Sequence, residues 1–408
     1  MKQILTYILI FLIGIILSCK DKITNPPEEY PPGYQHDIPW PSLADSPWPM
    51  NHGNPQSTGR SRFKGPTEGI LYSRLPANDM ESAVVIGKDS TIYFNSSRPG
   101  YLFAVKYNGI VSWSNKLVSV SPTTPLITSD QTVITANGTR QLIAVDKNGN
   151  TKWTYTSNNL IFHLGINIDK EGTIYFLDAS STLNAVNKVG QLIWQLTDNR
   201  FYTGQASAPS FSPDGKTLYI QGKTVSLLAV DINLKTVKWI YGNNSLLSSP
   251  VIDAQGNIYI IPAVNNKENT IVYSLKPNGK LRWKYELGVI VVYNYLYNME
   301  PTIDKYGNIY LGADTLYSIT YDGELRWKLG FGGFGINSPL ISDIDGNIFL
   351  GLAKGLYNIK IVKVSSNGNI LFEVLINDEK VTGYSPAISE NGLLFFPTFR
   401  SNNILVIK

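Results

Sequence analysis

A short phrase recurs along the chain at intervals of about 40 residues, and it constrains the fold more than any other feature. Each copy predicts an apolar strand, a tight turn that contains Gly, and a second strand carrying Trp. The clearest copy runs from Ala144 through Gly149 to Trp153. The Trp position is filled in the seven full copies by Trp113, Trp153, Trp194, Trp239 (after one extra residue), Trp283, Trp327 and, in a degenerate copy, Phe372. This regular return indicates one supersecondary unit repeated in tandem.

A second marker, an aliphatic residue followed by an aromatic one, counts the units independently. It occurs seven times, and Val133-Ile134 fills an eighth place without the aromatic residue. The last unit therefore has its first half but ends before a Trp position. Near the other end of the chain, Tyr72 precedes Trp113 by 41 residues and stands without a first half. The aromatic residues of the seven marker copies are Tyr93, Tyr175, Tyr219, Tyr259, Tyr310, Phe349 and Phe395.

The two incomplete units make one whole unit only if the chain closes into a ring. Each repeat is long enough for four short strands, which is typical of a β-propeller. We therefore predict an all-β, eight-bladed propeller of four-stranded antiparallel blades, in which an N-terminal strand carrying Tyr72 completes the last blade. Seven blades is the alternative.

The turns between the predicted strands agree with this fold. Asn-Gly and Asp-Gly pairs supply the positive φ angles that tight hairpins require. The sequence from Asp343 to Asn347 also has some oxygen ligands of a calcium loop, but it lacks the first ligand and the final Glu of an EF-hand. We interpret it as a hairpin turn, with calcium as the alternative.

The N-terminus predicts export and membrane anchoring. A basic start and an apolar run make residues 1–18 a signal peptide. The sequence up to Cys19 resembles the bacterial lipobox, in which the Cys is lipidated and becomes the first mature residue; an ordinary signal peptide is the alternative. Residues 19–47 are Pro-rich, which predicts a tether. We assign residues 48–408 to the propeller. Lys20 stands where inner-membrane lipoproteins of enterobacteria carry Asp, which favours the outer membrane and leaves the inner membrane as the alternative.

Composition and residue counts narrow the function. The net charge is only +4 with scattered Lys and Arg, which gives no reason to expect nucleic-acid binding. Cys19 is the single cysteine, so no internal disulfide is available. The three His residues, His36, His52 and His163, fall in separate segments. We therefore expect no catalytic residues and no metal site.

The repeat phrase resembles the pyrroloquinoline quinone (PQQ) enzyme repeat, and with the lipobox the chain resembles the family of the outer-membrane assembly factor BamB. The resemblance implies that the Trp-position residues, from Tyr72 to Phe372, dock neighbouring blades. Quinoprotein dehydrogenases also carry a vicinal disulfide and a Ca²⁺ site, for which this sequence has no matching positions. We therefore expect neither PQQ nor Ca²⁺ as a cofactor.

The loops that join one blade to the next form the predicted binding face. Three of these connections are rich in aromatic residues, which suit a peptide strand or a sugar. The other interpretation, which the alternation of Tyr in the run near residue 295 favours, is that this run only extends a strand and packs one face. The candidate residues are Arg200, Phe201, Tyr202, Tyr293, Tyr295, Tyr297, Glu300, Phe331, Phe334 and Tyr384.

Three functions follow from these observations. We favour a non-catalytic lipoprotein that acts as a protein-interaction scaffold in the bacterial cell envelope, with another envelope protein as its partner. The alternatives are a surface propeller that binds glycan or another carbohydrate polymer, and a PQQ-dependent dehydrogenase.

Overall fold

A computed structural model describes residues 30–97, 100–119, 122–161, 165–202, 208–246, 248–263, 269–289, 300–355, 358–379, 383–398 and 403–408. Contacts divide the chain into two compact units, Met1–Pro32 and Gly33–Lys408. Residues 30–32 are the described part of the first unit, and every strand lies in the second. Within the described ranges the regular secondary structure is β, and no helix there is long and apolar enough to cross a membrane.

The strands form eight antiparallel sheets, numbered here as blades I to VIII. The first strand along the chain, β1 (Leu71–Pro76), belongs to blade VIII. The others are: blade I, β2 (Val85–Ile86), β3 (Thr91–Ser97), β4 (Gly100–Lys106), β5 (Val111–Lys116); blade II, β6 (Leu126–Ile127), β7 (Val133–Ala136), β8 (Gln141–Val145), β9 (Thr151–Thr156); blade III, β10 (Asn167–Ile168), β11 (Ile174–Asp178), β12 (Thr182–Val186), β13 (Leu192–Thr197); blade IV, β14 (Ser210–Phe211), β15 (Thr217–Gln221), β16 (Leu227–Asp231), β17 (Thr236–Tyr241); blade V, β18 (Val251–Ile252), β19 (Ile258–Ile260), β20 (Asn269–Leu275), β21 (Leu281–Val289); blade VI, β22 (Thr302–Ile303), β23 (Ile309–Gly312), β24 (Thr315–Ile319), β25 (Leu325–Gly330); blade VII, β26 (Gly335–Ile336), β27 (Ile341–Ser342), β28 (Ile348–Lys354), β29 (Asn358–Val364), β30 (Ile370–Ile376); and blade VIII, β31 (Ala387–Ile388), β32 (Leu394–Pro397), β33 (Asn403–Ile407).

The ring is closed as the sequence predicted. Blade VIII has the strand order β31-β32-β33-β1, and β1 pairs antiparallel with β33. The strand that completes the last blade thus comes from the opposite end of the chain. Eight four-stranded blades, rather than seven, are confirmed; blade VII carries one additional short strand, β26.

The register of β1 corrects the predicted role of Tyr72. In blade I, Ala104 faces Trp113, and the equivalent residue of blade VIII, Val406, faces Ser73. Ser73 therefore occupies the Trp position, while Tyr72 is 63% exposed. A slip of one residue moves a strand's side chains to the opposite face, so an interval of 41 residues instead of 40 was enough to misplace the prediction.

The core lies between the blades. The two middle strands of a blade are buried on both faces, as in β7 and β8, because neighbouring blades cover them. The outermost strand alternates between exposed and half-buried residues, as in β9. Sequence alternation is therefore clear only in the outer strand, where one side of the strand meets water.

The Trp side chains contact the next blade at its glycine turn. A methyl group built on Gly323, whose φ is +93°, would lie 2.6 Å from the ring of Trp283. The indole N–H of Trp283 also donates to the Tyr321 carbonyl at 2.9 Å. Further Trp–Gly pairs of this kind are Trp113–Gly149, Trp153–Gly190, Trp239–Gly279 and Trp327–Gly368, and Phe372 packs on Gly69. Glycine is required here because a side chain would occupy the space of the indole. Trp194 instead packs against the core cluster that includes Ile232.

In several blades an Asp side chain holds the turn between the first two strands. Asp343 Oδ1 accepts the backbone N–H of Asp345 at 3.0 Å and of Asn347 at 2.9 Å, and its Oδ2 accepts that of Gly65 at 3.2 Å. Asp253 and Asp304 hold the same turn in blades V and VI. Because N–H donors occupy this carboxylate, the hairpin interpretation accounts for its position.

Candidate functional site

Residues 33–47 lie on the ring, although the sequence placed them in the tether. Trp40 and Leu43 are buried. The indole N–H of Trp40 donates to the Ile168 carbonyl at 2.8 Å, and the Ala44 amide donates to the Ile127 carbonyl at 2.9 Å. From Gly33 onward this segment belongs to the compact unit of the ring. An extended, Pro-rich segment has no helical or strand period, so its docking left no pattern in the sequence.

Residues 48–59, which we call the plug, bond to the innermost strands. The inner edge of each blade carries backbone N–H groups that need partners. Plug carbonyls accept them from six blades, and Asn167 of blade III donates its side-chain amide to Pro55. The backbone bonds run from Ile86 to Trp48 (2.8 Å), Ile127 to Pro49 (2.8 Å), Phe211 to Pro55 (2.8 Å), Ile252 to Gln56 (3.0 Å), Ile303 to Thr58 (3.1 Å) and Ser342 to Gly59 (2.8 Å). The plug therefore occupies the channel beside the turns that join the first and second strands.

The histidine of the plug is a structural residue. His52 is fully buried and has a φ of +53°. Its Nδ1 lies 2.8 Å from the Ser57 carbonyl oxygen, and its Nε2 lies 2.9 Å from that of Leu340 in blade VII. Both ring nitrogens are thus engaged by main-chain oxygens. His36 lies outside the plug, and His163 lies outside the described residues.

The cation next to the plug, Arg60, is tied to the same segment. Its guanidinium donates to the carbonyls of Gln35 (2.7 Å) and His36 (3.0 Å) and pairs with Asp37 (2.7 Å). Burial lowers the pKa of Arg60, and Asp37 opposes that shift. Because the side chain is only 9% exposed, the arginine holds residues 35–37 against the ring rather than serving as a free surface charge.

A cleft beside the plug has a volume of about 560 Å³. Its walls come from residues 35–62 together with Lys88, Ser129, Gln131, Ile252 and Ala254. Ser46 Oγ and Gln56 Nε2 are enclosed there, without a hydrogen-bond partner among the described residues. In the described part of the chain, no group of three or more His, Cys, Asp or Glu residues is arranged to hold a metal ion.

The predicted binding face lies at the opposite mouth, because blade-to-blade connections and first turns leave opposite ends of the strands. Several of its residues are buried rather than exposed. Phe201 is fully buried in the core of blades III and IV, and Phe331 is 9% exposed. Glu300 is 6% exposed and accepts a hydrogen bond from Ser249 Oγ at 2.7 Å. These three residues are corrected from surface contacts to buried positions, because Phe201 and Phe331 pack into the cores of neighbouring blades and Glu300 is held by Ser249.

Other predicted residues do reach the surface of this face. Arg200 forms a two-point ion pair with Asp198 at 2.6 and 2.9 Å, which raises the pKa of the arginine. Tyr202, Phe334 and Tyr384 are half-buried. Tyr293, Tyr295 and Tyr297 lie outside the described residues, as does Cys19. Among the described residues of the predicted face, Arg200, Tyr202, Phe334 and Tyr384 are therefore the accessible ones.

The outer edge of blade VII is a surface that the sequence prediction missed. In β30, Leu371 is 52% exposed and Leu375 is 56% exposed. Both flank the Trp position, which is filled here by Phe372. Aligning the copies at these two positions would have revealed the apolar pair, because the other blades carry mainly polar residues there.

Comparisons with known proteins agree on one architecture. The family model described as outer membrane protein assembly factor BamB matches residues 58–285. The crystal structure of BamB from Moraxella catarrhalis is 15% identical with a TM-score of 0.61, covering 83% of this chain and 97% of that one. A europium-containing methanol dehydrogenase is 12% identical with a TM-score of 0.63, covering 86% and 89%. A quinohemoprotein alcohol dehydrogenase from Pseudomonas putida HK5 is 11% identical with a TM-score of 0.66, covering 89% and 80%. At these identities the solved structures show the fold alone. A search of curated proteins finds no match.

Proposed function

The chain belongs to the family of the outer membrane protein assembly factor BamB, and on that premise we propose that it is a non-catalytic scaffold that holds another protein in the bacterial cell envelope. The observation that carries the proposal is the family match, which runs from the plug through blade V. Fold alone would not suffice, because propellers host unrelated functions.

The geometry supports a rigid platform. The plug ties blades from both halves of the ring, and β1 closes the ring from the other end of the chain. A closed ring of this kind holds the described surface residues in fixed positions, which lowers the cost of ordering them when a partner binds. We place the contact at the mouth opposite the plug, where Arg200, Tyr202, Phe334 and Tyr384 are accessible.

We also propose that Cys19 is lipidated and that residues 19–32 form the tether, with the outer membrane as its site. Several acyl chains on one Cys would make a stable anchor, whereas a single chain binds marginally. Metabolic labelling with an alkyne fatty acid should mark the wild-type chain and not the Cys19→Ser variant. The variant should also be lost from the membrane fraction. Unchanged fractionation of Cys19→Ser would contradict the anchor without affecting the scaffold.

The scaffold is tested by photo-crosslinking in the producing cell. A benzophenone amino acid replaces Tyr202 or Tyr384, and the matched control carries it at Lys88 on the plug side. We expect one envelope protein to be crosslinked at the first two positions and not at Lys88. Equal crosslinking at all three positions would contradict the placement of the face, and no crosslinked protein at any position would contradict the scaffold.

The alternatives are decided on the same purified protein. Titration with PQQ and Ca²⁺ should give no bound-cofactor spectrum and no dye reduction with alcohols or sugars. A glycan array should give no signal that depends on Tyr202. Saturable PQQ binding with dye reduction would replace the scaffold by a dehydrogenase, and Tyr202-dependent glycan binding would replace it by a carbohydrate binder.

A further inference from the structure

We propose that the outer edge of β30 in blade VII, together with Lys354 and Lys360, docks an extended acidic strand of a partner protein. The partner's main chain pairs with the free edge of β30, its apolar side chains cover Leu371 and Leu375, and its carboxylates meet the two lysines. This inference rests on the proposed scaffold function and names the chemistry of its partner. Its apolar part is the outer edge of one blade, and its two lysines adjoin the loops at the mouth of the channel through Phe334.

The other blades serve as internal controls for this edge. Leu371 precedes the Trp position and Leu375 follows it by three residues. Elsewhere the first of these positions holds Ser112, Lys152, Ile193, Lys238, Arg282, Arg326 and Tyr72, and the second holds Lys116, Thr156, Thr197, Gly242, Glu286, Gly330 and Pro76. Blade VII is therefore the blade with a large aliphatic residue at both positions.

The edge of β30 lacks the usual protection against pairing. Edge strands are normally protected by charges, especially Lys, or by Pro. Six of the seven residues of β30 are apolar, and its one charge, Glu373, is paired with Lys360 at 2.7 Å. Ile370, at the start of the strand, is also exposed, at 41%. Such a strand can add another strand through its main chain, with alternate side chains supplying specificity.

The charge near one end of β30 defines the kind of strand. Lys360 is the register partner of Leu375, so it marks the C-terminal end of β30. The ammonium groups of Lys360 and Lys354 lie 4.9 and 5.9 Å from the ring centre of Phe334. Glu373 balances one of the two cations, and Lys354 has no ion-pair partner among the described residues. An antiparallel partner strand with carboxylates at its N-terminal end complements this arrangement.

A second copy of the chain fits the edge less well. Antiparallel pairing of two β30 strands about their centre would oppose two Glu373 carboxylates. Like charges directly opposite each other destabilise a strand pair. A heterologous acidic strand avoids this repulsion and uses the lysines.

The probe is a fluorescein-labelled, amidated peptide of sequence Glu-Glu-Leu-Thr-Leu-Thr-Leu-Thr, titrated against the full chain in detergent and followed by anisotropy. We expect saturable binding with a dissociation constant below about 1 mM. Replacing its two Glu by Lys, or N-methylating alternate amides, should weaken binding about tenfold, because one change removes the charge match and the other removes main-chain pairing. Binding that survives N-methylation overturns the strand mode.

The matched variants are Leu371→Lys with Leu375→Lys, against Ile193→Lys at the equivalent position of β13. We expect about a tenfold loss for the first and less than a twofold change for the second. All three positions are at least half exposed, so melting temperatures should stay close to wild type. No binding to the wild-type chain, or an equal loss in both variants, overturns the proposal.

Failure here is separable from failure of the scaffold. If the crosslinked partner is recovered equally with wild type and with the Leu371→Lys, Leu375→Lys variant, the edge is not the docking site and the scaffold stands. Sedimentation of the chain alone provides a further check. A dimer that the same variant dissociates would assign the edge to a second copy and overturn the acidic-strand proposal.

Discussion

Replacing Gly323 by Ala tests whether the Trp–Gly contacts set the spacing of the blades. Gly323 has a φ of +93°, and its added methyl would lie 2.6 Å from the ring of Trp283. Ordinary carbon contacts are about 3.5–4.0 Å, so the indole or the turn must move by about 1 Å. The indole cannot withdraw freely, because its N–H bonds to Tyr321 and its ring contacts Tyr259 at 5.8 Å between centroids.

The expected loss of stability has two parts. A left-handed Ala costs about 1–2 kcal/mol relative to Gly. Overpacking a close contact adds about 1–3 kcal/mol. Gly288 provides the matched control, since its φ is +89° and nothing lies within 4 Å of its added methyl. We therefore expect Gly323→Ala to lower the free energy of unfolding by ~2–5 kcal/mol and Gly288→Ala by ~1–2 kcal/mol.

Urea denaturation followed by tryptophan fluorescence measures both variants. If the two losses agree within about 0.5 kcal/mol, the contact with Trp283 adds nothing and the reasoning is refuted. A second check is Gly323→Ala in a Trp283→Phe background, where the smaller ring leaves room and the loss should approach that of the control.

Three further changes test other parts of the ring. Lys363→Ala should lower the free energy of unfolding by about 2–3 kcal/mol, because it leaves the buried Asp343 without its cation. In urea denaturation, adding Asp343→Asn to this variant should recover part of the lost stability. No recovery would contradict the pairing of the two residues. His52→Ala should cost about 1–3 kcal/mol and speed proteolysis within the plug, since a buried carbonyl beside the ring loses its N–H donor; an unchanged cleavage rate would argue against its role. Burial, with Asp253 adding to it, raises the pKa of Tyr259 well above its ordinary value. Stability from this tyrosine is therefore full below pH ~10 and declines above it by up to ~1.4 kcal/mol per pH unit, and Tyr259→Phe should flatten the melting profile there.

The sequence determined the architecture because the repeat is a local signal. Each copy carries its own strands, its glycine turn and its Trp, so counting two markers gave eight blades and required the ring to close. The same signal placed Trp283 at the Trp position of one copy and Gly323 at the glycine turn of the next. These features depend on neighbours a few residues apart, which is the range over which periodicity and turn chemistry act.

The tertiary structure decided what local patterns do not encode. Ser73 rather than Tyr72 fills the last Trp position, because register depends on a partner strand more than 300 residues away and changes with a single residue. The plug has no period of its own and is defined only by the strand edges that it satisfies. Phe201, predicted on the surface, is buried, and Leu371, for which the sequence made no prediction, is exposed. Whether an apolar side chain is buried depends on which distant blade or loop covers it, and only the folded ring supplies that cover.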